Sequence, residues 1–126
     1  MKRTLMQVYV KGSEEAVKLY QRAFGAPLVA AYQNDDGSYM HAELDVFGQI
    51  VAVSEAGDNL STGNQMQFCL HLDSDEADKV TKAYDVLSDH ALKIDCPPGP
   101  CPYSPLMASF IDRFGIFWCI FTSFES

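Results

Sequence analysis

Basic residues are scarce in this chain. Nine Lys and Arg stand against seventeen Asp and Glu over 126 residues, for a formal net charge of −8. Nucleic acid is held by clustered cations, yet Lys2-Arg3 is the only adjacent basic pair. That balance argues against nucleic acid and anionic membrane surfaces as partners. No apolar run approaches the roughly 18 residues of a membrane span. Gln7 and Lys11 interrupt any signal-peptide core, so the expected location is the cytoplasm. The four cysteines, at 69, 96, 101 and 119, lack the second ligand pair that a zinc knuckle built on Cys96 and Cys101 would need. Without a secretion signal, no disulfide framework is expected either. Cys69 and Cys119 lie in apolar strands and read first as small buried hydrophobes. The disorder signature is also missing, since 48% of residues are hydrophobic. The length suits one domain with a real core.

What is present is a repeat. Val8-Tyr9-Val10-Lys11-Gly12-Ser13-Glu14-Glu15-Ala16 reads as a strand, a turn and a helix start, and Phe68 to Ala77 reads the same way about sixty residues later. Each half then runs through strand-like segments to a late glycine turn, Phe47-Gly48-Gln49 and Phe114-Gly115-Ile116. A duplicated strand-helix-strand-strand-strand unit usually builds one curved sheet with a concave face.

The first strand is expected at 5–10. Ser13 is the expected helix cap, with Glu14 and Glu15 favourable in the first turn. Ala16, Leu19, Tyr20, Ala23 and Phe24 then form an apolar helix face that Gly25 ends. Strands follow at 27–33, 39–46 and 49–54, the first two joined by an Asn34-Asp35-Asp36-Gly37 hairpin turn. A polar stretch separates module one (1–56) from module two (65–126) as a linker over 57–64. In module two a strand at 66–72 precedes a helix with Ala77, Val80, Tyr84 and Leu87 inward. A strand at 91–95 follows. Residues 96–105 hold five of the six prolines and read as unable to form a ladder strand. The last strands are expected at 106–112 and 116–122.

Alternation assigns faces. Met6, Val8 and Val10 belong to the core, as do Met66, Phe68, Leu70 and Leu72. Leu5, Gln7 and Tyr9 face the concavity with Gln67, Cys69 and His71. On the last strand Phe117, Cys119 and Phe121 face it too, while Trp118 faces the core. Tyr103, Pro105 and Met107 sit at its rim.

Gly12-Ser13-Glu14-Glu15-Ala16 with Leu19-Tyr20 and Ala23-Phe24-Gly25-Ala26 resembles the opening of the vicinal-oxygen-chelate superfamily of glyoxalases, bleomycin-resistance proteins and extradiol dioxygenases. The PhnB-like branch is the nearer match. Met40-His41-Ala42-Glu43-Leu44, the run from Leu70 to Ala77, and Asp112-Arg113-Phe114-Gly115-Ile116-Phe117-Trp118 extend the resemblance over nearly the whole chain. It implies an α+β fold of two βαβββ modules forming a cupped mixed β-sheet with helices on the convex side, commonly as a homodimer. Metal-dependent members place His or Glu at four positions that fall here on Leu5, Ala52, Gln67 and Cys119. These residues depart from that pattern, so no metal and no cofactor is expected. A methyltransferase activity, a label attached to some PhnB-like chains, lacks the glycine-rich strand-to-helix loop it would need.

The functional candidates are therefore those on the mixed face. His41 and Glu43 share a face of the third strand, and with His71 they are the candidate catalytic residues, or a displaced metal site. Gln7, Tyr9, Gln67, Cys69, Phe117, Cys119 and Phe121 are the candidate ligand-binding set. The plain alternatives are that His41 and His71 are structural, that His90 complements a helix C-terminus, and that Asp112 bonds turn backbone. Three functions are open: a metal-free protein that binds a small molecule, a lyase or isomerase acting on a small carbonyl compound, and an antibiotic-sequestering resistance protein.

Overall fold

The computed structural model describes residues 1–125. It divides into two compact units, Met1–Ser61 and Thr62–Ser126. In the first, β1 (Met6–Val10), α1 (Ser13–Phe24), β2 (Leu28–Gln33), β3 (Tyr39–Val46) and β4 (Gln49–Glu55) follow in order. The sheet runs β1-β4-β3-β2. Strand β1 is parallel to β4, and the other pairs are antiparallel. Val8 and Val10, Ala42, Leu44 and Val46, and Val51 and Val53 are all buried on alternate positions, and α1 covers this face with its expected apolar stripe.

The start of α1 differs from expectation. Gly12, at φ 86°, takes the cap position in the left-handed conformation, which glycine adopts without steric cost. Ser13 does not cap. Its hydroxyl donates to Glu55 Oε1 (2.8 Å) and accepts from the Tyr39 backbone N–H (2.8 Å). Glu55 itself receives the Gly12 and Ser13 backbone N–H groups at 3.1 and 2.9 Å. The acceptor for the first orphan donors thus comes from the end of β4.

The second unit repeats the plan with β5 (Phe68–Leu72), a 3-10 turn (Ser74–Glu76), α2 (Ala77–Leu87), β6 (Lys93–Cys101), β7 (Ser104–Ile111) and β8 (Phe117–Thr122). Its sheet runs β5-β8-β7-β6, again with one parallel pair, β5 and β8. Val80, Ala83 and Leu87 pack inward from α2, and Trp118, Phe110 and Ile120 are fully buried beneath it. Truncating a large buried aromatic such as Trp118 or Phe110 costs about 3–5 kcal/mol.

Three expectations are corrected in this unit. Ala77 is exposed and Ala83 takes its place in the core, because the helix proper starts only after the 3-10 turn. Met66 is 79% exposed, since β5 begins two residues later than expected. The proline-rich stretch also pairs as a strand: β6 carries Pro97, Pro98 and Pro100, with register shifts on either side of Gly99. It can do so because it is the sheet's edge, where a missing N–H on the solvent side and local bulges are tolerated. The resulting architecture is α+β, two four-stranded mixed sheets each backed by one helix.

Candidate functional site

In the first unit, register puts Leu5, Gln7 and Tyr9 on the face away from α1. Ala52 lies between Gln7 and Glu43, and Ser54 pairs with Tyr9. Glu43 is buried and organises this face. Arg3 grips it with two hydrogen bonds, Nη1 to Oε1 at 2.7 Å and Nη2 to Oε2 at 2.9 Å. His41 Nε2 lies 2.8 Å from Oε2. The Arg3 guanidinium, followed by His41, holds the Glu43 carboxyl down to about 2. Glu43 is therefore a fixed anion that orients the His41 ring and selects its tautomer. The ring is part-exposed and lies across from Tyr32 on β2, centroids 6.4 Å apart. Gln7 is tied to Ser54 Oγ at 3.0 Å and to its neighbour's carbonyl, and Tyr9 is exposed beside an open 370 Å³ hollow under Ala56–Ser61.

The matching face of the second unit carries a different chemistry. Cys69 pairs in register with Cys119, and His71 with Phe121. The His71 ring stacks on Phe121 with centroids 4.4 Å apart, and Tyr103 meets Phe121 edge-on at 5.2 Å. His71 Nε2 also bonds Ser123 Oγ at 2.7 Å. Cys119 is buried, Cys69 exposed, and the Cys69 thiol donates to Gln67 Oε1 at 3.4 Å. Burial and then the neighbouring Cys69 push the Cys119 thiol up to about 11. The Tyr103 hydroxyl lies in the same neighbourhood as Cys119 and Cys101. The charge of Cys119 and then burial raise it to about 12. Cys119 and Tyr103 therefore keep their protons near neutral pH. Phe117 is half-buried on the same row.

The residues at the four metal positions do not fit a divalent ion. Ala52 has no exposed surface and no donor atom, Leu5 has none, and the nearest carboxylate, Glu43, already spends both oxygens on Arg3 and His41. Among the described residues, three potential ligand atoms gather within 4.8 Å only in the acidic group Asp73, Asp75 and Glu76, at the head of α2. Glu76 there accepts from the Asp73 backbone N–H and pairs with Lys79. His41 and Glu43 are joined directly, but His71 belongs to the other unit and has its own partners. His90 pairs only loosely with Asp89, at 3.7 Å.

Two participants escaped the sequence reading. Arg3 was visible only as half of a basic pair, although extending the alternation of Leu5, Gln7 and Tyr9 back by two residues puts it on their face. In sequence Cys101 reads only as a partner of Cys96. An extended strand rises about 3.3 Å per residue, which separates these two along β6.

No curated protein sequence matches the chain. Solved structures do. A Pseudomonas aeruginosa protein aligns with a TM-score of 0.80 at 20% identity, covering 99% of this chain and 100% of that one. The PhnB protein from Bacillus cereus gives 0.80 at 19%, covering 97% and 100%. The fosfomycin resistance protein FosX from Listeria monocytogenes gives 0.70 at 15%, covering 98% and 94%. At these identities the likeness is one of fold. Among the described residues no helix is long and apolar enough to cross a membrane. A family model matches residues 3–120, and with the duplicated strand-helix-strand-strand-strand plan this places the chain in the glyoxalase/bleomycin resistance protein/dioxygenase superfamily.

Proposed function

We propose that this protein binds a small, partly apolar organic molecule on the open face of its second sheet, without the His/Glu metal centre of metal-dependent relatives. The carrying observation is the aromatic group Tyr103, Phe121 and His71, in which one half-buried ring is met edge-on and face-on by two exposed ones. Such a platform offers π-faces for a planar ligand and polar atoms at its margin to orient it. Gln67 and Phe117 extend the same face. Gln7 and Tyr9 are the corresponding candidates on the first sheet.

Fluorescence titration and thermal shift with planar aromatic carboxylates, fosfomycin and bleomycin test the reading. A binder is expected whose affinity falls about tenfold or more in Phe121→Ala, since an aromatic contact contributes about 0.5–1.5 kcal/mol beyond its buried area. If no compound binds, or if Phe121→Ala binds the same compound unchanged, the reading fails. A resistance role by sequestration is the special case in which an antibiotic is that binder. We place the protein in the cytoplasm as a homodimer, for which light scattering should return twice the 14.0 kDa chain mass.

A second reading rests on the His41 to Glu43 contact at 2.8 Å. A carboxylate that fixes an imidazole leaves the other ring nitrogen able to take a proton from a small carbonyl substrate. This predicts that His41→Ala lowers a turnover by about 10²–10⁴-fold. A turnover left intact in that variant removes His41 from the chemistry.

A further inference from the structure

The thiols of the second unit form an arrangement that organic-ligand binding does not use. Cys69 and Cys119 are direct register partners on the adjacent parallel strands β5 and β8, so their side chains leave the same face of the sheet side by side. Neighbouring strands lie about 4.8 Å apart. At the zinc–thiolate distance of about 2.3 Å, two sulfurs on opposite sides of one ion would lie about 4.6 Å apart. The sheet itself therefore sets the spacing that a linear dithiolate needs. One thiol is buried and the other exposed, which gives an ion a route in and a dry seat. The next rung, His71 on Phe121, walls one side, and Tyr103, in the β6–β7 turn, meets Phe121 edge-on.

We propose that Cys69 and Cys119 form a two-sulfur site for a soft, monovalent d10 cation of the copper(I) class. Soft thiolates select such ions, and of these two residues only Cys119 falls on a position where metal-dependent relatives carry a ligand. Binding breaks two S–H bonds, releases two protons and forms two S–Cu bonds, with no change of oxidation state. The product carries one negative charge, and Tyr103, edge-on to Phe121 on the next rung, is the hydroxyl we assign to stabilise it. Tyr103 is thus a positioning residue. The site adjoins the His71, Phe121 and Tyr103 platform proposed above but rests on the two thiols.

The test is a competition titration of the full chain, reduced with a phosphine under argon, with copper(I) against a chromogenic copper(I) chelator. One equivalent should be withheld from the chelator, with a thiolate-to-copper charge-transfer band in the ultraviolet. Cys69→Ser should weaken binding by more than about 100-fold, beyond the 10–100-fold cost of losing an outer partner. Tyr103→Phe should weaken it by about tenfold, while Cys96→Ser should match the wild type. Wild-type affinity in Cys69→Ser overturns the site, as does an equal loss in Cys96→Ser. Cys119→Ser should behave as Cys69→Ser does; should the buried substitution prevent folding, the exposed Cys69→Ser, with its fold checked by circular dichroism, decides alone.

Discussion

The two units share one topology and differ at almost every matched position on the face opposite the helix. Where the first places Gln7 against Ala52, the second places Cys69 against Cys119, and where the first has Tyr9 against Ser54, the second has His71 against Phe121. One face is organised by a closed charge network around Glu43, the other by sulfur and aromatic rings. The backbone decides which residues meet, through parallel register and strand order. Side-chain chemistry decides what the meeting can do. The glycine turns show the same divergence. Asp45 Oδ1 accepts one backbone N–H, from Gly48 at 2.7 Å. Asp112 Oδ1 accepts two, from Phe114 and Ile116 at 2.9 and 3.0 Å, and its Oδ2 accepts the Trp118 indole N–H at 2.9 Å.

The largest expected effect comes from breaking that second turn. Asp112 has no exposed surface. Asp112→Ala strands two backbone donors and a buried indole N–H, each a loss of about 1–3 kcal/mol. Urea unfolding should show about 3–4 kcal/mol of destabilisation. Asp45→Ala, at the equivalent place in the first unit, should cost only about 1 kcal/mol. Equal losses in the two variants would mean that the turns are energetically alike despite their different bonding.

Much of this was legible because alternation is a local property. The rows Val8, Val10 and Leu70, Leu72 against Tyr9 and His71 follow from a period of two, and they emerge buried and exposed as read. Cys69, read first as a small buried hydrophobe, is instead exposed, because it faces away from the helix on the edge strand. The apolar stripe of α1 and the backbone-bonding role of Asp112 were equally plain. What stayed hidden depended on contacts distant in sequence. Glu55 serves the head of α1 across 42 residues, and no local pattern announces that. Arg3 reaches Glu43 across 40. The proline run misled because composition records how many prolines there are, and not that the strand holding them lies at an edge with its N–H side free.

The charge network of the first face should show itself in pH. Glu43 titrates at about 2 in the fold against an ordinary 4.5. A lowered folded value means stabilisation that is complete above the unfolded value and is lost as pH falls through the folded one. Glu43→Gln should therefore be less stable than the wild type at pH 6, with the gap closing between pH 4.5 and about 2. Urea midpoints across that range measure it. A gap that is constant from pH 6 to pH 2 would show that the variant loses packing and not the ion pair. In the second unit the position matched to Glu43 is Ser109, beside Cys119, so Cys69→Ser should show no step in that window.

The smallest effect separates the cysteines from one another. Cys96 is half-buried on the edge strand β6, with its sulfur 3.9 Å from Asp95 Oδ2, a weak contact in the open. Asp95 already accepts a 2.6 Å hydrogen bond from Ser109, so it loses little if the thiol changes. Cys96→Ser should therefore stay within about 0.5 kcal/mol of the wild type. Cys119→Ser puts a hydroxyl into a buried seat among thiols, which are poor acceptors, and should cost about 1–3 kcal/mol. Unfolding midpoints at constant m-value measure both. If Cys96→Ser proved the more damaging, the cluster around Tyr103 would not be the structural centre of this face, and the edge strand with its prolines would be.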